Sequence, residues 1–179
     1  MKDWNVVVTV QEDRFKDAVP LLWKYGRVEK TSYFNVATMQ VEDTAAFLEA
    51  FRQGVEQDPD ELLSVGRIVP CTLCFLFQTI EEFEAKAQEA ARAFLGDLAG
   101  RSFCVRMHRR GFQGTMSSQE EAANLGEFLG RELVQRGTPA RVTFEDPDMI
   151  LAVETIGQRA GLSLWSREQR ARYPFLKLD

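Results

Sequence analysis

The sequence predicts an α+β protein built from two units, with the division at 1–72 and 73–179. The first 70 residues switch repeatedly between strand-like and helix-like apolar spacing, and two capping boxes open helices farther along the chain. Hydrophobic residues make up 45% of the 179 positions. A chain of this length and composition buries enough apolar surface for one large or two small domains.

The first unit follows the order strand, helix, strand, strand, helix, strand. Apolar residues repeat at every second position over Trp4–Val10, which is typical of a strand, and helical spacing follows up to a stop at Gly26. The other predicted elements are strands at Val28–Phe34 and Val36–Val41 with a turn at Asn35, a helix from Asp43, and a strand at Val65–Val69 that ends at Pro70. This order is that of a ferredoxin-like module, whose last strand lies at a sheet edge and tolerates a proline.

The second unit is also predicted to mix helices and strands, after a connector at Cys71–Gln78. Thr79 with Glu82 forms one capping box, and Ser117–Ser118 with Glu120–Glu121 forms another. The two helices are expected to end near Gly100 and Gly137. The second helix has a predicted apolar stripe of Ala122, Leu125, Phe128, Leu129 and Val134.

The segment Ser102–His108 between these helices is predicted to be a strand. Phe103, Val105 and Met107 then face one way, and Cys104, Arg106 and His108 face the other. Three further strands are predicted around Arg141–Phe144, Met149–Thr155 and Ala160–Trp165, with a turn at residues 146–148.

Composition and termini indicate a cytoplasmic protein without a membrane partner. No apolar run approaches the roughly 18–20 residues that a membrane span needs, and the first ten residues do not form a secretory signal. Three cysteines cannot all pair with one another, which favours a reducing, intracellular setting.

The net charge of −5 hides a difference between the two halves of the chain. Residues 1–100 carry 10 basic and 17 acidic residues, whereas residues 101–179 carry 12 basic and 10 acidic residues. The basic residues concentrate in 101–114 and in 159–177. This asymmetry indicates either a polyanionic partner or a well-solvated surface.

The sequence shows no catalytic motif and leads us to expect no metal and no cofactor. Cys71 and Cys74 are three residues apart, and Cys104 with His108 forms a second pair. On a strand, positions 104 and 108 would be about 13 Å apart along the chain, so a Cys3His zinc site is disfavoured and buried cysteines are favoured. The single histidine lies beside Arg106, which weakens it as a general base. No P-loop, GxGxxG, GxSxG or HExxH is present.

The basic stretch at the end of the Ser102–His108 strand is the best candidate site, and it predicts RNA binding. Guanidinium forks and the N–H groups of a following helix both suit phosphate oxygens. The candidate RNA-contacting residues are Arg106, His108, Arg109, Arg110 and the possible base-stacking residue Phe112, with Arg167, Arg170 and Arg172 as a second group. Replacing Arg109 and Arg110 together with Glu is expected to abolish RNA binding without unfolding the protein. The alternative is a solvated strand end with Phe112 packed on the core.

These motifs, in this order and spacing, resemble the THUMP family of RNA-binding domains. The resemblance runs from about Arg101 to Trp165 and includes the preceding helix and first unit. It is carried by FCVRMHRRG at 103–111, Ser117, Ser118 and Glu121, LG at 125–126, VTFEDPD at 142–148, ILAVE at 150–154 and GLS at 161–163.

The resemblance implies that a ferredoxin-like unit followed by a THUMP domain holds structured RNA, typically tRNA at its acceptor stem and 3′ end. The chain lacks a recognisable catalytic domain, so it is most similar to stand-alone members that present tRNA to a separate enzyme, such as the adaptor for tRNA cytidine acetylation. It is therefore expected not to be an enzyme itself. One alternative is a regulatory module that binds a small metabolite. The other is an RNA-modification enzyme subunit that uses Cys71, Cys74 or His108.

Overall fold

The computed structural model describes residues 3–178 and has two sheets and several helices, which confirms the mixed α+β class. The chain divides into two compact units. Unit 1 contains residues up to Cys71 together with Arg170–Lys177, and unit 2 contains Thr72–Gln169 with Leu178. Within residues 3–178, no helix combines the length and the apolar character that a membrane crossing requires.

Unit 1 contains a four-stranded sheet in the order β2-β3-β1-β4, in which every neighbouring pair is antiparallel. Its elements are β1 (Val6–Val10), α1 (Phe15–Leu22), β2 (Arg27–Lys30), β3 (Val36–Gln40), α2 (Thr44–Gln57), α3 (Glu61–Ser64) and β4 (Val65–Pro70). The predicted element order is present, with the short helix α3 as an addition. Asp43 caps α2 by accepting hydrogen bonds from Ala45 and Ala46, and Pro70 lies on the edge strand β4 as expected.

Unit 2 contains a five-stranded sheet in the order β5-β9-β8-β6-β7. Strand β6 is parallel to β7 and β8, and the other pairs are antiparallel. Its elements are β5 (Leu73–Leu76), α4 (Ile80–Ala91), a 3₁₀ turn (Arg92–Phe94), α5 (Leu95–Leu98), β6 (Ser102–His108), α6 (Ser118–Gln135), β7 (Arg141–Val142), β8 (Met149–Ile156) and β9 (Arg159–Ser166). Helix α7 (Arg167–Arg172) begins in unit 2 and ends in unit 1, and a 3₁₀ turn (Pro174–Leu176) follows.

The core of unit 2 lies between its sheet and helices α4 and α6. Phe103 and Val105 of β6 pack into this core together with Leu129 and Leu133 of α6, and Met107 lies at its margin. The predicted face of β6 is therefore confirmed. The predicted stripe of α6 is wrong at Val134, which is 65% exposed, because the helix turns Leu133 inward instead.

Two further differences concern segments whose structure depends on distant residues. The predicted connector at 71–78 contains strand β5, which forms because it pairs with β9 over Leu73–Leu162 to Leu76–Arg159. Residues 170–177 group with unit 1, whereas the sequence placed them in the second unit. The Phe175 ring packs edge-on against Phe51 with centroids 4.9 Å apart, and Arg67 donates to the carbonyl of Lys177 at 2.9 Å.

Candidate nucleic-acid interface

Strand β6 carries two residues of the sequence-predicted site, Arg106 and His108, and ends at His108. Successive residues of a strand point to opposite faces, so the inward set beginning at Phe103 leaves Cys104, Arg106 and His108 on the other face. The register places Arg106 beside Ala152 and His108 beside Glu154 of β8. This face therefore combines two basic side chains with one carboxylate from the neighbouring strand.

Glu154 binds part of the predicted basic cluster from inside the protein. Its side chain has no exposed surface, and its Oε2 accepts a hydrogen bond from Nη1 of Arg110 at 2.6 Å. The Nδ1 of His108 lies 3.6 Å from the other carboxylate oxygen. A buried carboxylate needs a partner of this kind because burial removes it from water. The positive charge of Arg110 is thus compensated by the carboxylate of Glu154 within the fold.

The backbone of Arg110 is fixed as well. Its N–H donates to the carbonyl of Thr155 at 3.1 Å, and its carbonyl accepts from the N–H of Gly157 at 2.8 Å. The side chain of Arg110 is only 15% exposed. Replacing Arg110 with Glu would place a second carboxylate against buried Glu154, so we now expect the Arg109 and Arg110 double variant to lose stability as well as RNA binding.

Arg106 and Arg109 are in a different electrostatic situation. Among residues 3–178, neither is bonded to a carboxylate. The guanidinium of Arg106 lies 5.4 Å from the ring centroid of Phe144, and Nη1 of Arg109 donates to the neutral carbonyl of Gly111. Their Nε atoms are buried and have no hydrogen-bond acceptor within the described part of the chain. Within residues 3–178, neither guanidinium is therefore neutralised by a carboxylate, in contrast to that of Arg110.

Phe112 is stacked inside the protein. Its ring lies over Phe77 with centroids 5.2 Å apart and an interplanar angle of 28°. The residue has a φ of 53° between Gly111 and Gly114, and its carbonyl accepts from the N–H of Met116. One ring face is thus occupied, which is the arrangement expected of an aromatic residue that anchors a loop to the core.

The start of α6 is already occupied by acidic residues. Ser117 caps the helix by accepting from the N–H of Glu120 at 3.3 Å, and Glu120 and Glu121 lie in the first turn. Burial, together with the nearby Glu84 and Glu120, raises the pKa of Glu121. These carboxylates oppose a phosphate at this helix end, although the helix dipole alone would favour one.

The second predicted group does not join the first. Arg167 bonds to Asp146 at 3.1 Å and to Asp148 at 3.0 Å. It follows Ser166, which pairs with Met149 at the start of β8, so it lies at the opposite end of the sheet from His108. Six residue steps along β6 correspond to about 20 Å. Arg170 and Arg172 belong to unit 1, where Arg172 bonds to Glu49 at 2.9 Å.

The three cysteines differ in their burial. Cys71 and Cys104 are buried, and Cys74 is half-buried. Within residues 3–178, no group of three or more His, Cys, Asp or Glu side chains is placed to hold a metal ion.

Two residues of this region were missed as site residues by sequence reasoning. Glu154 is the single carboxylate of β8, whose other residues are apolar except Thr155, and that pattern is a usable signal for an internal ion pair. Phe144 is 65% exposed and follows the short strand β7, where a turn-rich sequence gave no reason to expect an accessible aromatic ring. Together with Arg106 it places a cation and an exposed ring side by side.

The comparisons with known proteins establish the fold. No family model and no curated protein matches the sequence. PH1313 from Pyrococcus horikoshii is similar in structure, with a TM-score of 0.58, 12% identity, and coverage of 90% of this chain and 54% of that one. TrmN from Thermus thermophilus is also similar, with a TM-score of 0.57 and 20% identity, and the match covers 89% of this chain and 44% of that one. A 4-thiouridine synthetase solved as an RNA complex with bound ATP has a TM-score of 0.55 and 14% identity. That match covers 91% of this chain and 41% of the synthetase. The chain thus shares its fold with about half of the length of each of these proteins.

Proposed function

We propose that this protein binds tRNA at its acceptor stem and 3′ end and presents it to a separate modification enzyme. The observation that carries the proposal is the pair Arg106 and Arg109, which keep their positive charges at the end of β6. They lie in a fold shared with a synthetase whose structure was solved as an RNA complex. The choice of tRNA rests on the resemblance to the THUMP family.

The assignment of the two units belongs to the same proposal. Unit 1 is a ferredoxin-like module, supported by its element order and by the edge position of β4. Unit 2 is a THUMP domain, supported by the way the sequence pattern falls on β6, α6, β8 and β9. Each of the three similar structures matches 89 to 91% of this chain, so the likeness in fold extends over both units.

The physical basis of binding is phosphate contact combined with stacking. A guanidinium group bonds phosphate oxygens through a planar fork, and RNA with an unpaired end offers phosphates and exposed bases together. Phe144 supplies an accessible ring next to Arg106. The net charge of −5 limits non-specific attraction to polyanions, so binding concentrates on the few uncompensated arginines.

The non-catalytic role is supported by the surroundings of the reactive side chains. Cys104 has no exposed surface, and His108 faces the buried carboxylate of Glu154. Cys71 belongs to unit 1 and Cys74 to unit 2. We expect alanine at Cys71, Cys74 or His108 to leave tRNA modification in cells intact, and a complete loss in any of these variants would contradict the adaptor role.

The direct test is a tRNA gel shift at two salt concentrations. Affinity should fall with a log–log slope of roughly −0.7 to −0.9 for each phosphate contact. Replacing Arg106 and Arg109 with alanine should lower both the affinity and the slope. The matched control is Arg14→Ala with Arg27→Ala, which also removes two cations, these being exposed and paired with Asp17 and Glu29. Absence of RNA binding, or salt-insensitive binding of a small metabolite instead, would overturn the proposal.

A further inference from the structure

We propose that RNA also contacts the β7 edge of the unit 2 sheet, through Arg101, Arg141 and Phe144. This inference rests on the proposed RNA-binding function and adds a second contact site to it. The site lies at the far end of β6 from His108, about 20 Å along the strand. The sequence reasoning assigned no role to either arginine.

The two arginines are held side by side at a surface cavity. The N–H of Arg141 donates to the carbonyl of Arg101 at 3.0 Å, and the pairing of β6 with β7 places Ser102 next to Arg141. The cavity has a volume of about 390 Å³ and is lined by Gly100–Ser102, Pro139–Arg141 and Asp148. It contains two guanidinium-bearing residues, one carboxylate and no large apolar side chain, so it suits an anion.

The carboxylate in this cavity is already bonded to other groups. One oxygen of Asp148 accepts from the N–H of Ser102 at 2.9 Å and from its hydroxyl at 2.7 Å, and the other accepts from Arg167 at 3.0 Å. The Arg101 guanidinium donates to the neutral sulfur of Met149, at 3.6 Å. Neither Arg101 nor Arg141 forms an ion pair within residues 3–178, and both are exposed. Their charges are therefore available to phosphate.

An exposed aromatic ring follows the same edge. Phe144 lies three residues after Arg141 and is 65% exposed, with the Arg106 guanidinium against its ring. In single-stranded nucleic acid binding, cationic residues contact the phosphate backbone while a base stacks on an accessible aromatic ring. The β7 edge thus connects the candidate site at Arg106 with the cavity at Arg101 and Arg141. RNA fits this chemistry better than a protein partner, whose interface would need a larger apolar patch.

The test measures binding of a labelled tRNA acceptor-stem minihelix with an unpaired 3′ end, by fluorescence anisotropy over a salt series. The variant carries Arg101→Ala and Arg141→Ala. Losing two phosphate contacts should weaken binding roughly 15- to 30-fold near 0.15 M salt and make the log–log slope shallower by roughly 1.4 to 1.8. Both residues are exposed and lack a carboxylate partner, so the unfolding temperature should hardly change.

The matched control carries Arg14→Ala and Arg27→Ala, which changes the net charge equally in unit 1 at exposed residues paired with Asp17 and Glu29. It should alter the affinity less than twofold. An equal loss in this control would show that binding follows net charge alone, and the inference would fail.

Phe144→Ala separates stacking from charge. It should weaken minihelix binding roughly 5- to 150-fold and leave the salt slope unchanged. Wild-type affinity in both the double arginine variant and Phe144→Ala would refute the β7 site while leaving the proposed function in place. Failure of the wild-type protein to bind the minihelix would instead refute the proposed function. A double arginine variant that keeps RNA affinity but no longer binds the modifying enzyme would show a protein interface and overturn the inference.

Discussion

Replacing Arg110 with methionine should destabilise the protein strongly, because Arg110 pairs with a carboxylate that has no exposed surface. The Nη1–Oε2 distance to Glu154 is 2.6 Å, whereas His108 lies at 3.6 Å, beyond hydrogen-bond length. Removing one partner of a buried pair costs about 3–5 kcal/mol. For a chain of this size each kcal/mol lowers the unfolding temperature by about 2–4 °C. The expected decrease is therefore about 6–20 °C.

The assay is thermal unfolding at neutral pH, supported by urea titration. Arg109→Met is the matched control, because Arg109 donates only to a neutral carbonyl, and it should change stability by less than about 1 kcal/mol. A double variant with Arg110→Met and Glu154→Met should recover most of the loss, since an apolar pair of similar volume replaces the buried ions. A single Arg110→Met variant that unfolds at the wild-type temperature would refute the assignment of Arg110 as a structural residue.

Two further outcomes test other parts of the fold. Phe175→Ala should cost about 3–5 kcal/mol, because the ring is buried edge-on against Phe51, and a urea midpoint equal to that of the wild type would contradict this packing. Hydrogen bonds from Ser102, together with Arg167, lower the pKa of Asp148 to about 2. The resulting stability is present above the unfolded value of about 3.9 and is lost as the pH falls through about 2. Asp148→Asn should therefore be less stable than the wild type near pH 6, and the difference should disappear near pH 2 in thermal scans.

Features with local causes could be predicted from the sequence. A cap depends on residues two or three positions apart, so the helix starts at Thr44, Ile80 and Ser118 follow the predicted caps closely. Strand β6 has the predicted bounds because alternation fixes both faces over seven residues. Strand β5 was missed because its only support is pairing with β9, nearly ninety residues later. At Val134 the helical periodicity was off by one residue.

The candidate site could be predicted only in part, for the same physical reason. A run of arginines shows where positive charge is concentrated, but not which charges have internal partners. The partner of Arg110 is 44 residues away on β8, and Arg101 comes next to Arg141 through a backbone hydrogen bond from the Arg141 N–H to the Arg101 carbonyl. The sequence therefore identified the basic segment, whereas the charges available to a ligand emerge only from the tertiary structure.

Because residues 170–177 belong to unit 1, unit 1 cannot complete its folding early in translation. Domains usually complete their folding from the N-terminus as they leave the ribosome. Here the hydrophobic interior around Phe51 lacks the Phe175 ring until the ribosome has translated residues 72–169 of unit 2. The unit whose synthesis begins first is consequently completed only near the C-terminus, and a fragment that stops at residue 71 would expose an aromatic surface and tend to aggregate.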